Sequence, residues 1–220
     1  LGTRLFLGIM AAGLAISAPL ILRQYDYMIY GVSANFVLGL LLALTTHLPE
    51  YQEAVRAGRW SASPHFCLLD YPIGELAGRT LGIAGYGELG RSVANVASGF
   101  GMDVRIAQLP GRPEQPGRTP LAELLPELDA LTLHCPLTEA TRDLISAEEL
   151  ARLPDHALVI NTARGGIVNE PALADALRAG TIGGAGVDVL SQEPPPRDHP
   201  LLASDLPNLI VTPHVAWASR

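Results

Sequence analysis

The chain has 220 residues, 48% apolar and only 17% charged, against a usual ~25% charged, which excludes disorder for the bulk of it. Its net charge of −7 argues against nucleic acid as a partner, because neutralising phosphates needs a basic face. All 15 basic residues are arginine, so Schiff-base chemistry, a P-loop lysine and a Ser-x-x-Lys nucleophile pair are excluded.

Residues 5–22 are uncharged between Arg4 and Arg23, long enough to be weighed as a membrane span or signal segment. The reading adopted is a buried segment broken by Gly8, Gly13 and Pro19, with no membrane partner. The uncharged stretch over 27–46 follows, and its part over 34–44 reads as a buried helix that suits the interface of a homodimer equally well. The first residue is Leu1 and the chain closes on Arg220 in an unfinished-looking segment, so a fragment is expected.

From Arg79 onward short apolar runs alternate with helical stretches, the signature of βαβ units and a parallel sheet. Strands are expected over residues 80–84, 104–107, 130–133, 158–160, 186–189 and 209–211. Helices are expected over 88–98, 121–128, 147–153 and 171–179, with Pro171 in a first turn and Gly180 just past the end. Residues 109–120 read as a Pro/Gly loop. Cys67 and Cys135 show no metal-ligand spacing and no C-x-x-C; they point to a reducing, cytoplasmic setting, and no metal is expected.

The run Gly85-Tyr86-Gly87-Glu88-Leu89-Gly90 falls between an expected strand and an expected helix, the context in which G-x-G-x-x-G binds a dinucleotide. Gly85 permits the tight turn, Gly87 lets backbone approach a pyrophosphate, and Gly90 allows close helix–strand packing. The helix start then favours the anion. An ordinary glycine-rich βα turn is the alternative. An acidic residue usually follows the second strand and binds the ribose 2′-hydroxyl; here the residue is Gln108, with Arg112 and Arg118 beyond it. The cofactor is therefore NAD or NADP.

Ligands of open α/β sheets sit beyond the carboxyl ends of the strands. Arg164, Glu193 and His214 follow strands there, and Asp188 closes one. An arginine fork suits a carboxylate. A histidine can give a proton to a carbonyl oxygen as hydride reaches its carbon, and a glutamate partner holds the ring. Each also has a plain structural reading: loop cap, surface charge, structural hydrogen-bonder.

At these residues the sequence resembles the D-isomer-specific 2-hydroxyacid dehydrogenases. The matching pieces are Gly85–Gly90, Leu133-His134-Cys135-Pro136-Leu137-Thr138, Asn161-Thr162-Ala163-Arg164-Gly165-Gly166, Gly186-Val187-Asp188-Val189 through Glu193-Pro194, and Thr212-Pro213-His214. The segment from Pro213 to Ala218 looks most like the glycerate dehydrogenase (hydroxypyruvate reductase) branch. The resemblance implies an α/β fold, a Rossmann-like doubly wound parallel sheet with an incomplete second (substrate) domain. Residues 1–50 would be a remnant of the substrate domain with the inter-domain helix, 51–206 the NAD(P)-binding domain, and 207–220 a return segment. It implies an oxidoreductase moving hydride between NAD(P)H and a small 2-oxo or 2-hydroxy acid, such as hydroxypyruvate and D-glycerate.

The same resemblance makes Arg164 the substrate arginine, Glu193 the histidine's partner and His214 the acid–base group. Asp188 and the backbone around Ala163 would meet the nicotinamide carboxamide, His134 and Pro136 would lie along the adenosine half, Thr141 near the nicotinamide-side ribose, and Thr162 is a further cofactor-binding residue. A loop before the 34–44 helix, here Met28-Ile29-Tyr30-Gly31-Val32-Ser33, would face the substrate carboxylate. A non-catalytic dinucleotide-binding module is the alternative.

Overall fold

The computed structural model describes residues 33–218. The segment over 5–22, the loop ahead of Ser33 and the last two residues lie outside the described residues.

The first described helix, α1, covers residues 33–45. Ala34, Val37, Leu38, Leu41 and Leu44 recur at helical spacing and are all buried, in one cluster with Leu81, Ile83 and Ile160. The apolar face is thus covered by the chain's own sheet and is not available as the dimer surface the sequence allowed. Helix α2 (Leu48–Arg56) follows. A loop then leads to β1 (Thr80–Ala84), α3 (Glu88–Gly99) and β2 (Asp103–Gln108). β3 is the short Thr119–Pro120, inside the segment expected to be loop throughout. It is followed by α4 (Leu121–Leu124), β4 (Ala130–Leu133), α5 (Ala147–Leu150), β5 (Leu158–Asn161), α6 (Glu170–Ala179), β6 (Gly184–Val187) and β7 (Leu209–Val211).

All seven strands are parallel, in the order β3-β2-β1-β4-β5-β6-β7. β7 belongs to this sheet, pairing Val187 with Val211. The strands are apolar on both faces because helices cover both. Leu81, Ile83 and Val93 pack with α1 and α3, while Leu131, Leu133, Val159, Leu173 and Leu177 fill the other side.

Several helices are shorter than their apolar patterns. The pattern over 121–128 divides at Leu124 into α4 and a 3-10 turn, Leu125–Glu127. Pro126 lacks the N–H that would continue the helix. α5 stops at Leu150. In contrast, α6 has the ends its residues dictate: Asn169 accepts from the Ala172 N–H at 3.0 Å, and Gly180 closes it at φ 64°.

At the amino ends of the strands one carboxylate joins several segments. Asp129 accepts from Arg79 Nη1 at 2.6 Å and from the Thr80 N–H at 2.7 Å, and it meets His156 Nε2 at 3.0 Å. These contacts lower its pKa against the upward push of burial, the largest single influence.

Candidate functional site

The strand order reverses between β1 and β4, so a crevice opens above their carboxyl ends. The glycine run lines it. Gly85 has φ 105°, and a Cβ there would lie 2.5 Å from the His134 carbonyl carbon. Gly87 caps α3 with open space around it. A Cβ on Gly90 would lie 2.2 Å from the Gly85 oxygen. The geometry is that of a tight turn at Gly85, open backbone at Gly87 and close packing at Gly90. Glu88 begins α3, Leu89 packs against the core, and the Arg91 guanidinium lies 5.7 Å above the Tyr86 ring.

Three buried polar atoms without partners in the described structure sit at strand ends around this crevice: Gln108 Oε1, His134 Nδ1 and Thr162 Oγ1. Gln108 ends β2, His134 follows β4 and Thr162 follows β5. Orphaned buried polar atoms are uncommon in folded proteins, and these fit a ligand rich in hydroxyls and amides. Gln108 differs from a simple ribose contact. Its Nε2 donates to the carbonyls of Leu109, Arg112 and Pro113 at 3.3, 3.1 and 3.1 Å, so the amide first organises the loop after β2. A carboxylate there would repel three carbonyls.

His134 Nε2 bonds Thr132 Oγ1 at 3.0 Å, and burial lowers its pKa from 6.5 to about 4. The ring is neutral at pH 7. An unfolded chain takes up this proton near pH 6.5 while the folded chain resists it until about pH 4. Stability therefore falls as pH drops through that window. Urea unfolding should give about 1–2 kcal/mol less stability at pH 5 than at pH 7, and His134→Gln should flatten part of that slope.

Pro136 is exposed beside His134. Thr141 is buried; its hydroxyl donates to the Pro136 carbonyl at 2.7 Å and accepts from the Thr138 N–H at 2.8 Å. It shapes the loop after β4.

The turn after β5 is built by Asn161. Its Oδ1 accepts from the Ala163 N–H at 3.1 Å and its Nδ2 donates to the Arg164 carbonyl at 2.9 Å. Arg164 is exposed, with Nη1 donating to the Ala163 carbonyl at 2.6 Å. Next to it, Gly165 packs directly on the Leu190 backbone, where a Cβ would lie 2.0 Å from both C and O.

Glu193 and His214 are joined: Nδ1 of the ring lies 2.7 Å from Glu193 Oε2. Glu193 Oε1 accepts from the Leu190 N–H at 2.8 Å. Burial pushes the Glu193 carboxyl upward. The Leu190 donor, the His214 contact and the charges of His214 and Arg164 outweigh it, so its pKa falls below the ordinary glutamate range. The ring's Nε2 is left for a ligand. His214 has φ 56°, a left-handed conformation costly for a non-glycine residue.

Asp188 supports that conformation. It is 1% exposed. Oδ1 accepts from Thr212 Oγ1 at 2.5 Å and from the Val215 N–H at 3.0 Å, and Oδ2 accepts from the Ala216 N–H at 2.8 Å. Its carbonyl accepts from the His214 N–H at 2.9 Å. The acid expected at the nicotinamide thus holds the histidine's segment in place. An apolar-walled cleft of about 580 Å³ opens beside the pair, lined by Pro194, Leu202, Val211 and Pro213 among others.

A parallel sheet in this order, with a glycine elbow at its reversal point and an acid-paired histidine after its edge strand β7, defines a dinucleotide-binding domain of the oxidoreductase kind. Residues 38–216 match the family described as "D-isomer specific 2-hydroxyacid dehydrogenase, NAD binding domain". The chain belongs to that family. It is 50% identical over 184 residues to glycerate dehydrogenase from Methylorubrum extorquens, covering 84% of this chain and 58% of the relative. It is 36% identical over 197 residues to hydroxypyruvate reductase from Blautia hydrogenotrophica, covering 87% and 61%. Among solved structures it resembles a protein from Thermus thermophilus, with TM-score 0.76 and 38% identity over 87% of this chain and 60% of that one. It also resembles an NADPH-dependent glyoxylate/hydroxypyruvate reductase from Sinorhizobium meliloti, solved with NADP and malonate. There the TM-score is 0.74 at 33% identity, over 87% and 59% of the two chains. The chain spans less than two thirds of the length of these relatives.

Proposed function

We propose that the chain serves an NAD(P)-dependent oxidoreductase interconverting a small 2-oxo acid and a D-2-hydroxy acid, with hydroxypyruvate and D-glycerate as the first pair to test. The observation that carries the reading is the 2.7 Å bond between His214 Nδ1 and Glu193, at the carboxyl end of the same sheet whose β1 ends in a glycine elbow fit for a dinucleotide. The bound nicotinamide supplies the hydride. Arg164 binds the substrate carboxylate and polarises the adjacent carbonyl. His214 gives its Nε2 proton to the carbonyl oxygen, and Glu193 keeps the ring oriented. Gly85, Gly87 and Gly90 admit the pyrophosphate, with Tyr86, Glu88 and Leu89 shaping the turn. His134 and Pro136 flank the adenosine half, Thr141 the nicotinamide-side ribose, and Thr162, Ala163 and Asp188 the carboxamide. The domain division expected above accompanies this reading, except that the cofactor sheet runs past residue 206 to include β7 and is covered by α1 ahead of residue 51.

NADH and NADPH should both be tested as donors to hydroxypyruvate and glyoxylate. Arg164→Ala should raise the substrate KM by at least ~10-fold with cofactor affinity unchanged, since a charge-assisted contact contributes about 1.5–3 kcal/mol. An unchanged KM would overturn the role of Arg164. Cofactor binding without turnover on any 2-oxo acid would support the module reading instead.

A homodimer is proposed from Trp60, Phe66, Leu69 and Ile73, large apolar side chains exposed on one segment; sedimentation reads the mass. A cytoplasmic setting is proposed from the free cysteines Cys67 and Cys135. Among the described residues, no helix is long and apolar enough to cross a membrane.

A further inference from the structure

We propose that Glu170 and His199 are positioning residues for the acid–base pair, acting through Ser191 on the loop that carries Glu193. The inference rests on the reading of Glu193 and His214 as that pair. Glu170 opens α6 yet is only 7% exposed, as is His199. A buried carboxylate is costly unless its lone pairs are met. Here they are met by one loop. Oε1 accepts from the Ser191 N–H at 2.6 Å, Oε2 accepts from Ser191 Oγ at 2.6 Å, and Oε2 meets His199 Nε2 at 2.9 Å. His199 Nδ1 accepts from the Leu201 N–H at 3.2 Å, which leaves the ring's proton on Nε2, directed at Glu170.

The helix does not need this carboxylate, because Asn169 already caps it. Its contacts all lead across to the segment between Asp188 and Leu201. That segment is held at four points. The Asp188 N–H donates to the Asn161 carbonyl at 2.9 Å. Leu190 packs on Gly165, next to Arg164. Ser191 is gripped by Glu170, and the Leu190 N–H closes on Glu193 itself. Ser191 lies two residues before Glu193, so freeing it releases both the Leu190 donor and the carboxylate that faces His214. A small displacement of a reacting group is enough to slow chemistry strongly.

The test follows the pH titration of the Leu190 amide in ¹⁵N-labelled protein, which reports the Glu193 carboxyl it bonds. In the parent chain the midpoint lies below the ordinary glutamate range. Glu170→Ala should move it upward, in the same direction as His214→Asn and by a comparable extent. Glu170→Gln, which can still accept from the Ser191 N–H, should restore most of the parental position. A purely structural role would lower the unfolding temperature and leave the midpoint where it was. If Glu170→Ala fails to fold, Ser191→Ala supplies the same comparison, and an unmoved midpoint there overturns the proposal. If His214→Asn leaves the curve unchanged, the acid–base pair itself is refuted. If His214→Asn moves it and Glu170→Ala does not, only the positioning role falls.

Discussion

His214→Ala is expected to lower 2-oxo acid reduction by about 10²–10⁴-fold, the range of a positioned general acid, while the dinucleotide still binds. Among the described residues the ring is the only group bonded to Glu193 from the β7 side, and His214 lines the open cleft. The glycine elbow lies above β1, and nothing in its geometry depends on the imidazole. Removing the ring therefore separates proton transfer from cofactor capture. Single-turnover oxidation of NADH or NADPH reads the first, and fluorescence titration of the reduced cofactor reads the second. A variant that keeps its rate would remove His214 from the chemistry.

Gly165→Ala should have the largest effect on stability. Its Cβ would meet the Leu190 carbonyl carbon and oxygen at 2.0 Å and the Ser191 nitrogen at 2.3 Å. All three are backbone atoms, so no side chain can swing aside. The turn bearing Arg164 and the loop bearing Glu193 must separate. The expected loss is about 3 kcal/mol or more, or roughly 6–12 °C in Tm for a chain of this size. Gly39→Ala is the matched comparison: it lies within α1 with open space around its Cβ, and should be neutral or gain up to about 1 kcal/mol. Equal melting of the two variants would show that the contact yields.

Local patterns in the sequence revealed the sheet and the glycine elbow. β1 and β4 are continuous apolar runs, and the turn that follows β1 requires glycine chemistry at fixed offsets. β6 was less legible because Gly184 and Ala185 lack the branched side chains by which strands are recognised, and the expected strand began at Gly186. The structure shows why those positions are small: a Cβ on Gly184 would lie 2.4 Å from the Asn208 amide, and one on Gly186 would lie 3.0 Å from Ile160 and 3.2 Å from Leu40. β2 runs one residue further each way than its apolar core, which places Gln108 inside the strand end. β3 was hidden because a two-residue strand ending in proline has no periodicity.

The residues of the acid–base pair could be found from their place after strands, but their supports could not. Asp188 bonds residues 24–28 positions later, and Glu170 bonds residues 21 and 29 positions away. Such links have no local signal. Asn161 had one, as a polar residue closing a buried strand, yet its part in shaping the Arg164 turn emerges only from its hydrogen bonds.

Asp129 gives the sheet two unlike rims. A single side chain ties the threshold of β1 to the one leading into β5, as a knot gathers cords at one end. The groups assigned to chemistry stand at the opposite margin, which has ties of its own through Asp188 and Glu170.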